Sequence, residues 1–189
     1  MWSKQAWVGG VAALLVSCSV EAPGTVEAQL SRLSALASAG VTTIERAMQN
    51  AQHAAGESGE ATSGLIGEGL RGVDAATRAL SRLEDEPRAT DDQRLTAIVL
   101  QARAWDDAAR AIARSWRDVS DLSDDQLALT AALLEEKAFP ARVAARNSYE
   151  RALRTACVTG LRSHPAWPEI VDGVLRHDTT FAGDPCGER

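Results

Sequence analysis

The sequence predicts an all-α fold: an antiparallel four-helix bundle with a short C-terminal tail helix stapled by a disulfide. Three observations predict it. Apolar residues recur at spacings of three and four along four long segments, the period of one helix face. Two of those segments open on the letters of a capping box, Thr90-Asp-Asp-Gln93 and Ser123-Asp-Asp-Gln126, in which the hydroxyl accepts an amide at N3 and the glutamine reaches back to the cap. Glycine-, proline- or acid-rich stretches separate the segments, and helices joined by loops of about three to six residues pack most economically with neighbours antiparallel.

The first helix is expected from about 25 to 55, where Val26, Leu30, Leu33, Ala37, Gly40, Ile44, Met48, Ala51 and Ala55 mark one face. GESGEATSG, residues 56 to 64, then supplies three glycines and no apolar anchor larger than alanine, which reads as a turn. Ile66, Leu70, Val73, Ala76, Leu80 and Leu83 mark the second helix, ended by EDEPR, where Pro87 biases Glu86 away from helical geometry. The third carries the most regular stripe: Leu95, Ile98, Ala102, Trp105, Ala109, Ile112, Trp116 and Val119 alternate threes and fours throughout. The fourth begins after Ser123, runs through Leu127, Leu134, Val143, Tyr149 and Leu153, and ends near Gly160. Pro140 lies inside it and should kink or split it, because proline has no amide to donate and crowds the carbonyl four residues back. The two capping boxes start 33 residues apart, but each opens one long helix, so shared capping chemistry and not a helical-repeat array explains them.

Many stripe positions are Ala or Gly, which lets helices approach closely while burying little area. Stability is therefore expected to lean on Trp105, Trp116 and the cysteine staple. The tail, SHPAWPEIVDGVLRH, should form a short helix over 168–177, with Trp167 and Val171 packed against the bundle end.

The amino terminus has its own logic. Lys4 is the one charge before Cys18, and Ala6 to Val16 is an unbroken apolar and glycine run of 11 residues. A cationic start, a short apolar core and a small residue at the cut make a secretory signal, and the run falls short of the roughly 20 residues that a membrane span needs. Leu15-Val16-Ser17-Cys18 resembles the lipobox of bacterial lipoproteins, an aliphatic residue, then a small one, before an invariant cysteine. The resemblance implies that Cys18 receives a diacylglycerol on sulfur and, after cleavage, a further acyl chain such as palmitate on its new amino terminus. Two or more chains hold firmly, at about 0.8 kcal/mol per buried methylene. Ser19 stands where an aspartate commonly retains such proteins in the inner membrane, so the resemblance implies the outer membrane, facing the periplasm. The expected organisation is a cleaved signal over 1–17, a lipidated tether over 18–24, the bundle over 25–160 and a tail over 161–189. From Ser19 to Gly24 the tether reaches at most roughly 20 Å.

The chain from Cys18 onward has 172 residues, with 19 cationic and 26 acidic side chains, a balance of −7. Such a surface repels phosphate backbones, and no basic stripe with interleaved aromatics is present, which argues against nucleic acid as a partner. With Cys18 taken by lipid, Cys157 and Cys186 remain. Metal ligation and thiol catalysis are the alternatives, but neither CxxC nor CxxCH occurs. In an oxidising compartment the two should pair and close a loop of about 30 residues.

No residue set converges on catalysis, a metal or a cofactor. Gly67-Glu-Gly69-Leu-Arg-Gly72 has the letters of a nucleotide-binding turn, but no strand precedes it, so close helix packing is expected there. None of His53, His164 and His177 has a Glu three residues before it, as a di-iron bundle requires. Asp106-Asp107 and Glu135-Glu136 are adjacent acids about 100° apart on a helix, expected on the solvated face. His164 and His177 flank the tail helix, where capping or surface roles are expected, with metal ligation beside an acid as the alternative.

Leu122-Ser123-Asp124-Asp125-Gln126, with LALTAALLEEKAFPARVAAR after it, resembles the LTxxQ signature of small helical periplasmic stress chaperones and heavy-metal sensors. Ala89-Thr90-Asp91-Asp92-Gln93 is a degenerate second copy. The chain departs from that family in the close spacing of the copies, in the two helices before the first, and in its scarcity of Met and His. The expected function is a lipid-anchored, noncatalytic helical scaffold or interaction module that engages envelope proteins. The alternative is an LTxxQ-type chaperone or metal-responsive protein.

Overall fold

The computed structural model describes residues 24–53, 59–114, 124–177 and 185–187. Their regular secondary structure is helical, with no strand among them: α1 Val26–His53, α2 Gly59–Glu84, α3 Asp91–Arg114, α4 Asp124–Leu133, a π-helical turn Leu134–Ala138, α5 Phe139–Thr159 and α6 Trp167–His177. None of the described helices is long and apolar enough to cross a membrane.

Thr25 caps α1, its Oγ1 accepting the Ala28 amide at 3.3 Å, which satisfies one of the orphan donors of a helix start. α2 begins at Gly59, so 59–64 of the expected turn over 56–64 is helical. Glycine costs a helix about 1 kcal/mol per residue, and the burial of Thr62 and Ile66 outweighs it. α1 and α2 cross where Gly40 meets Gly69. A Cβ on Gly40 would stand 2.8 Å from the Gly69 carbonyl oxygen, and one on Gly69 would stand 2.7 Å from that of Gly40. The two backbones touch, so the GxGxxG letters record close helix packing, centred on Gly69.

The capping box before α3 forms: the Gln93 amide donates to Thr90 Oγ1 at 3.2 Å, and the Thr90 amide donates to Gln93 Oε1 at 3.0 Å. Beyond the expected stripe, Ala97, Val99, Ala104, Ala108 and Ala111 are also buried, so α3 is enclosed on nearly every side. It touches α1 and α2, which also touch each other, and it touches α5, against which α6 packs. Trp116, Val119 and the second capping box at Ser123 lie outside the described residues, as do the Gln126 and His53 side chains.

Pro140 neither splits the fourth segment nor bends it out of right-handed helical geometry: Leu133, Ala138 and Phe139 all have α dihedrals. The π turn absorbs the proline. The Phe139 amide donates to the Leu134 carbonyl, five residues back, and Pro140 falls in the first turn of α5, where a missing donor is tolerated. α5 ends at Gly160, whose φ of 74° is left-handed, and the Leu161 amide returns to the Ala156 carbonyl at 2.9 Å, closing a glycine C-cap.

Among the described residues the core has three parts, and α3 contributes to each. Ile44, Met48, Ile66 and Val73 pack with Ala108, Ile112, Leu133 and Ala138. Leu30, Leu80 and Leu83 pack with Ala97. On the other flank, Leu95, Ile98 and Val99 meet Tyr149 and Leu153 of α5 and Ile170 and Val174 of α6. Trp105 packs, partly buried, against the first of these. Cys157 and Cys186 stand at disulfide distance, with Cα atoms 5.4 Å apart, and join residues 185–187 to the end of α5 as expected.

Candidate functional site

The densest polar constellation lies where α6 docks on α3 and α5. Its centre, Asp106, corrects the expectation of a solvated acid pair: the residue is 4% exposed. The physical reason is the enclosure of α3, which leaves the position beside Trp105 facing α6 and not water. Asp106 Oδ2 accepts from Arg110 Nη2 at 2.8 Å and from Arg176 Nη1 at 3.0 Å. Its Oδ1 lies 3.7 Å from His177 Nε2. Asp107 is only half-buried and pairs with Arg110 at 3.1 Å. Burial pushes the Asp107 carboxyl above its usual value, against the pull of Arg110. Glu135 and Glu136 lie on the exposed face as expected.

His177 ends α6 with its side chain 8% exposed. Its ring stacks on Tyr149 at a centroid distance of 6.2 Å, and Nε2 has no hydrogen-bond partner among the described residues. Burial lowers the imidazole below its ordinary value; Asp106 opposes that shift, while Arg142, Arg176 and Arg146 reinforce it. Tyr149, buried on α5, donates its hydroxyl to Glu169 Oε1 at 3.4 Å, and burial together with Glu169 and Asp106 raises its pKa far above the ordinary phenol. Glu169 also takes Arg103 Nε at 3.0 Å, and that pairing raises the guanidinium pKa. Gly173 makes room for all of this, since a Cβ there would stand 2.5 Å from the Tyr149 ring.

Two smaller networks flank the cluster. Buried Gln101 and Glu84 share the guanidinium of Arg151, at 2.7 and 3.2 Å, which links α2, α3 and α5. His164 fills a capping role as expected: its Nδ1 accepts the Ala166 amide at 3.0 Å, and its Nε2 lies 3.3 Å from Thr96 Oγ1. Between α1 and α3 runs a shallow groove of about 160 Å³, lined by Ser34, Ser38, Thr42, Arg103 and Asp107.

Asp106, expected on the solvated face, and His177, expected in a capping or surface role, are thus brought together, and Tyr149, read as a stripe residue, joins them. A signal was present: α3 is apolar or small well outside its a/d stripe, which marks a helix buried all round, and an acid on such a helix needs cations. What the arrangement does is hold α6 in place through charge-assisted hydrogen bonds. Among the described residues, no three His, Cys, Asp or Glu side chains gather as a metal ion would need. Cys18, the expected lipidation site, lies outside the described residues. No family model, curated protein or solved structure matches the chain.

Proposed function

We propose that this protein is a lipid-anchored envelope lipoprotein that works as a noncatalytic helical scaffold, engaging other proteins at the periplasmic face of the outer membrane. What carries the reading is the resemblance of Leu15-Val16-Ser17-Cys18 to a lipobox, with Cys18 eight residues before α1 opens at Val26. Residues 19–25 span at most about 25 Å when fully extended, so the helical body is held close to the bilayer. The four long segments, with α4, the π turn and α5 counted as one, form an antiparallel bundle in this reading. Its support is that Leu30 and Leu83 cluster at one end while Met48 and Ile66 cluster at the other. The buried polar cluster supports a static role, because its ion pairs and ring contacts tie helices together.

The test compares the full chain with Cys18→Ala in cells fed an alkyne-bearing fatty acid, followed by membrane fractionation and cross-linking. The native chain is expected to take up label, sediment with outer membranes and cross-link to a defined set of envelope proteins, and the variant to lose all three. Label-free native protein in the soluble fraction overturns the anchor. Membrane-bound protein that cross-links to unrelated unfolded chains overturns the scaffold in favour of a chaperone.

A further inference from the structure

α5 departs from the charge of the rest of the chain. From Cys18 onward the protein carries 19 cationic and 26 acidic side chains, yet α5 holds Arg142, Arg146, Arg151 and Arg154 against a single acid, Glu150. Arg142 and Arg154 are exposed and have no ion-pair partner among the described residues. Arg146 holds Glu150 at 2.8 Å, which neutralises the one acid.

The same helix leaves three large apolar side chains outside: Phe139 is 64% exposed, Val143 40% and Val158 88%. At about 100° per residue they share the outward side with Arg154, opposite the buried line of Ala145, Ser148 and Ala152, while Arg142 and Arg146 run along its edge. The face extends about 29 Å from Phe139 to Val158 and stops at exposed Glu135 and Glu136. Apolar groups flanked by cations suit an anionic lipid surface: the apolar groups enter the headgroup layer, and the guanidiniums stay with the phosphates.

The tether brings that surface within reach. Gln93 Nε2, at the start of α3, donates to Glu27 Oε1 in the first turn of α1 at 2.9 Å, and His164, just past α5, lies 3.4 Å from Asp92. The start of α1 and the end of α5 therefore meet at one end of the fold. α3 touches both helices, and two interhelical spacings of about 8 to 10 Å each set α1 at most about 20 Å behind α5. Residues 19–25, at most about 25 Å long, cover that distance.

We infer that α5 lies along the membrane with the face of Phe139, Val143 and Val158 on anionic phospholipid, its arginines paired with the phosphates. α1 and α2, on the far flank of α3, then point away from the bilayer and are the surface offered to a partner. This orientation rests on the lipid anchor proposed above, which supplies nearness, while α5 supplies direction.

The experiment places the chain purified from membranes in vesicles of mixed phosphatidylethanolamine and phosphatidylglycerol, and separately in phosphatidylcholine alone. Val143→Cys and, on exposed α1 surface, Leu36→Cys each carry a nitrobenzoxadiazole label. Cys157 and Cys186 stand at disulfide distance and Cys18 bears lipid in this reading, so the introduced thiol takes the label. Nitroxide-bearing lipid is expected to quench the label at 143 at least about threefold more than at 36 in the anionic vesicles. Phosphatidylcholine, or Arg142→Glu with Arg154→Glu, should bring 143 down to the level of 36. Chain that fails to float with the vesicles overturns the anchor and this orientation together. Chain that floats with both labels quenched alike, or with quenching at 143 that neither the lipid change nor the double reversal lowers, overturns the orientation and leaves the anchor standing.

Discussion

At Asp106 one buried carboxylate serves two guanidiniums and faces an imidazole. Removing one partner of such a set leaves the others charged and less solvated, which for a fully buried pair costs about 3 to 5 kcal/mol. Arg110 and Arg176 keep partial contact with water, so Asp106→Ala is expected to lose about 2 to 3 kcal/mol in urea unfolding, with α6 amides exchanging fastest. His177 gives the site a pH dependence. Burial holds its folded-state pKa below the ordinary value, so the unfolded chain binds that proton more readily. The stability is present above about pH 6.5 and is lost as pH falls below it. Native protein should therefore lose more stability between pH 7.5 and 5.5 than His177→Gln does, and equal losses would count against this account. Gly40→Ala forces a Cβ onto the Gly69 carbonyl and should destabilise by about 1 to 3 kcal/mol, measured the same way.

Elements differ in how far the sequence declares them. The Thr90 capping box is local chemistry, so it was legible and it formed. The start of α2 was not, because its glycines speak against a helix and only docking on α1 overrules them. Pro140 was legible as a perturbation, but the π turn was not, since whether a helix bends or widens at a proline depends on what both flanks must bury. Here Leu133 and Ala138 both belong to the core around α3. Because the turn already accommodates the proline, Pro140→Ala is expected to change stability by less than about 1 kcal/mol, against the roughly 3 kcal/mol typical of an interior proline. α6 was legible to within one residue at its start, and its docking chemistry was hidden because Asp106 and Arg176 lie 70 residues apart. Reducing the Cys157–Cys186 link should cost about 3 to 4 kcal/mol in the chain-entropy account. Hydrogen exchange is expected to rise in α6 and the end of α5 before α1 and α2.

For the whole molecule, the all-α class followed from periodicity, while the central position of α3 did not. A stripe with period 3.5 names one buried face, and the sequence reading assigned α3 only that. Its alanines outside the stripe carry the second face, and they are what let α1 and α2 pack on one flank and α5 on the other. That arrangement has a consequence in time. Each helix finds its docking surface among those already made: α2 on α1, α3 on both, α5 on α3, and α6 on α5. A chain emerging amino terminus first can thus dock its helices in the order of their appearance, with the flank of α3 that carries Leu95, Ile98 and Val99 waiting for α5 and α6. Cys186 follows all of these helices in the chain, so its link to Cys157 fastens the assembly after the helices have docked.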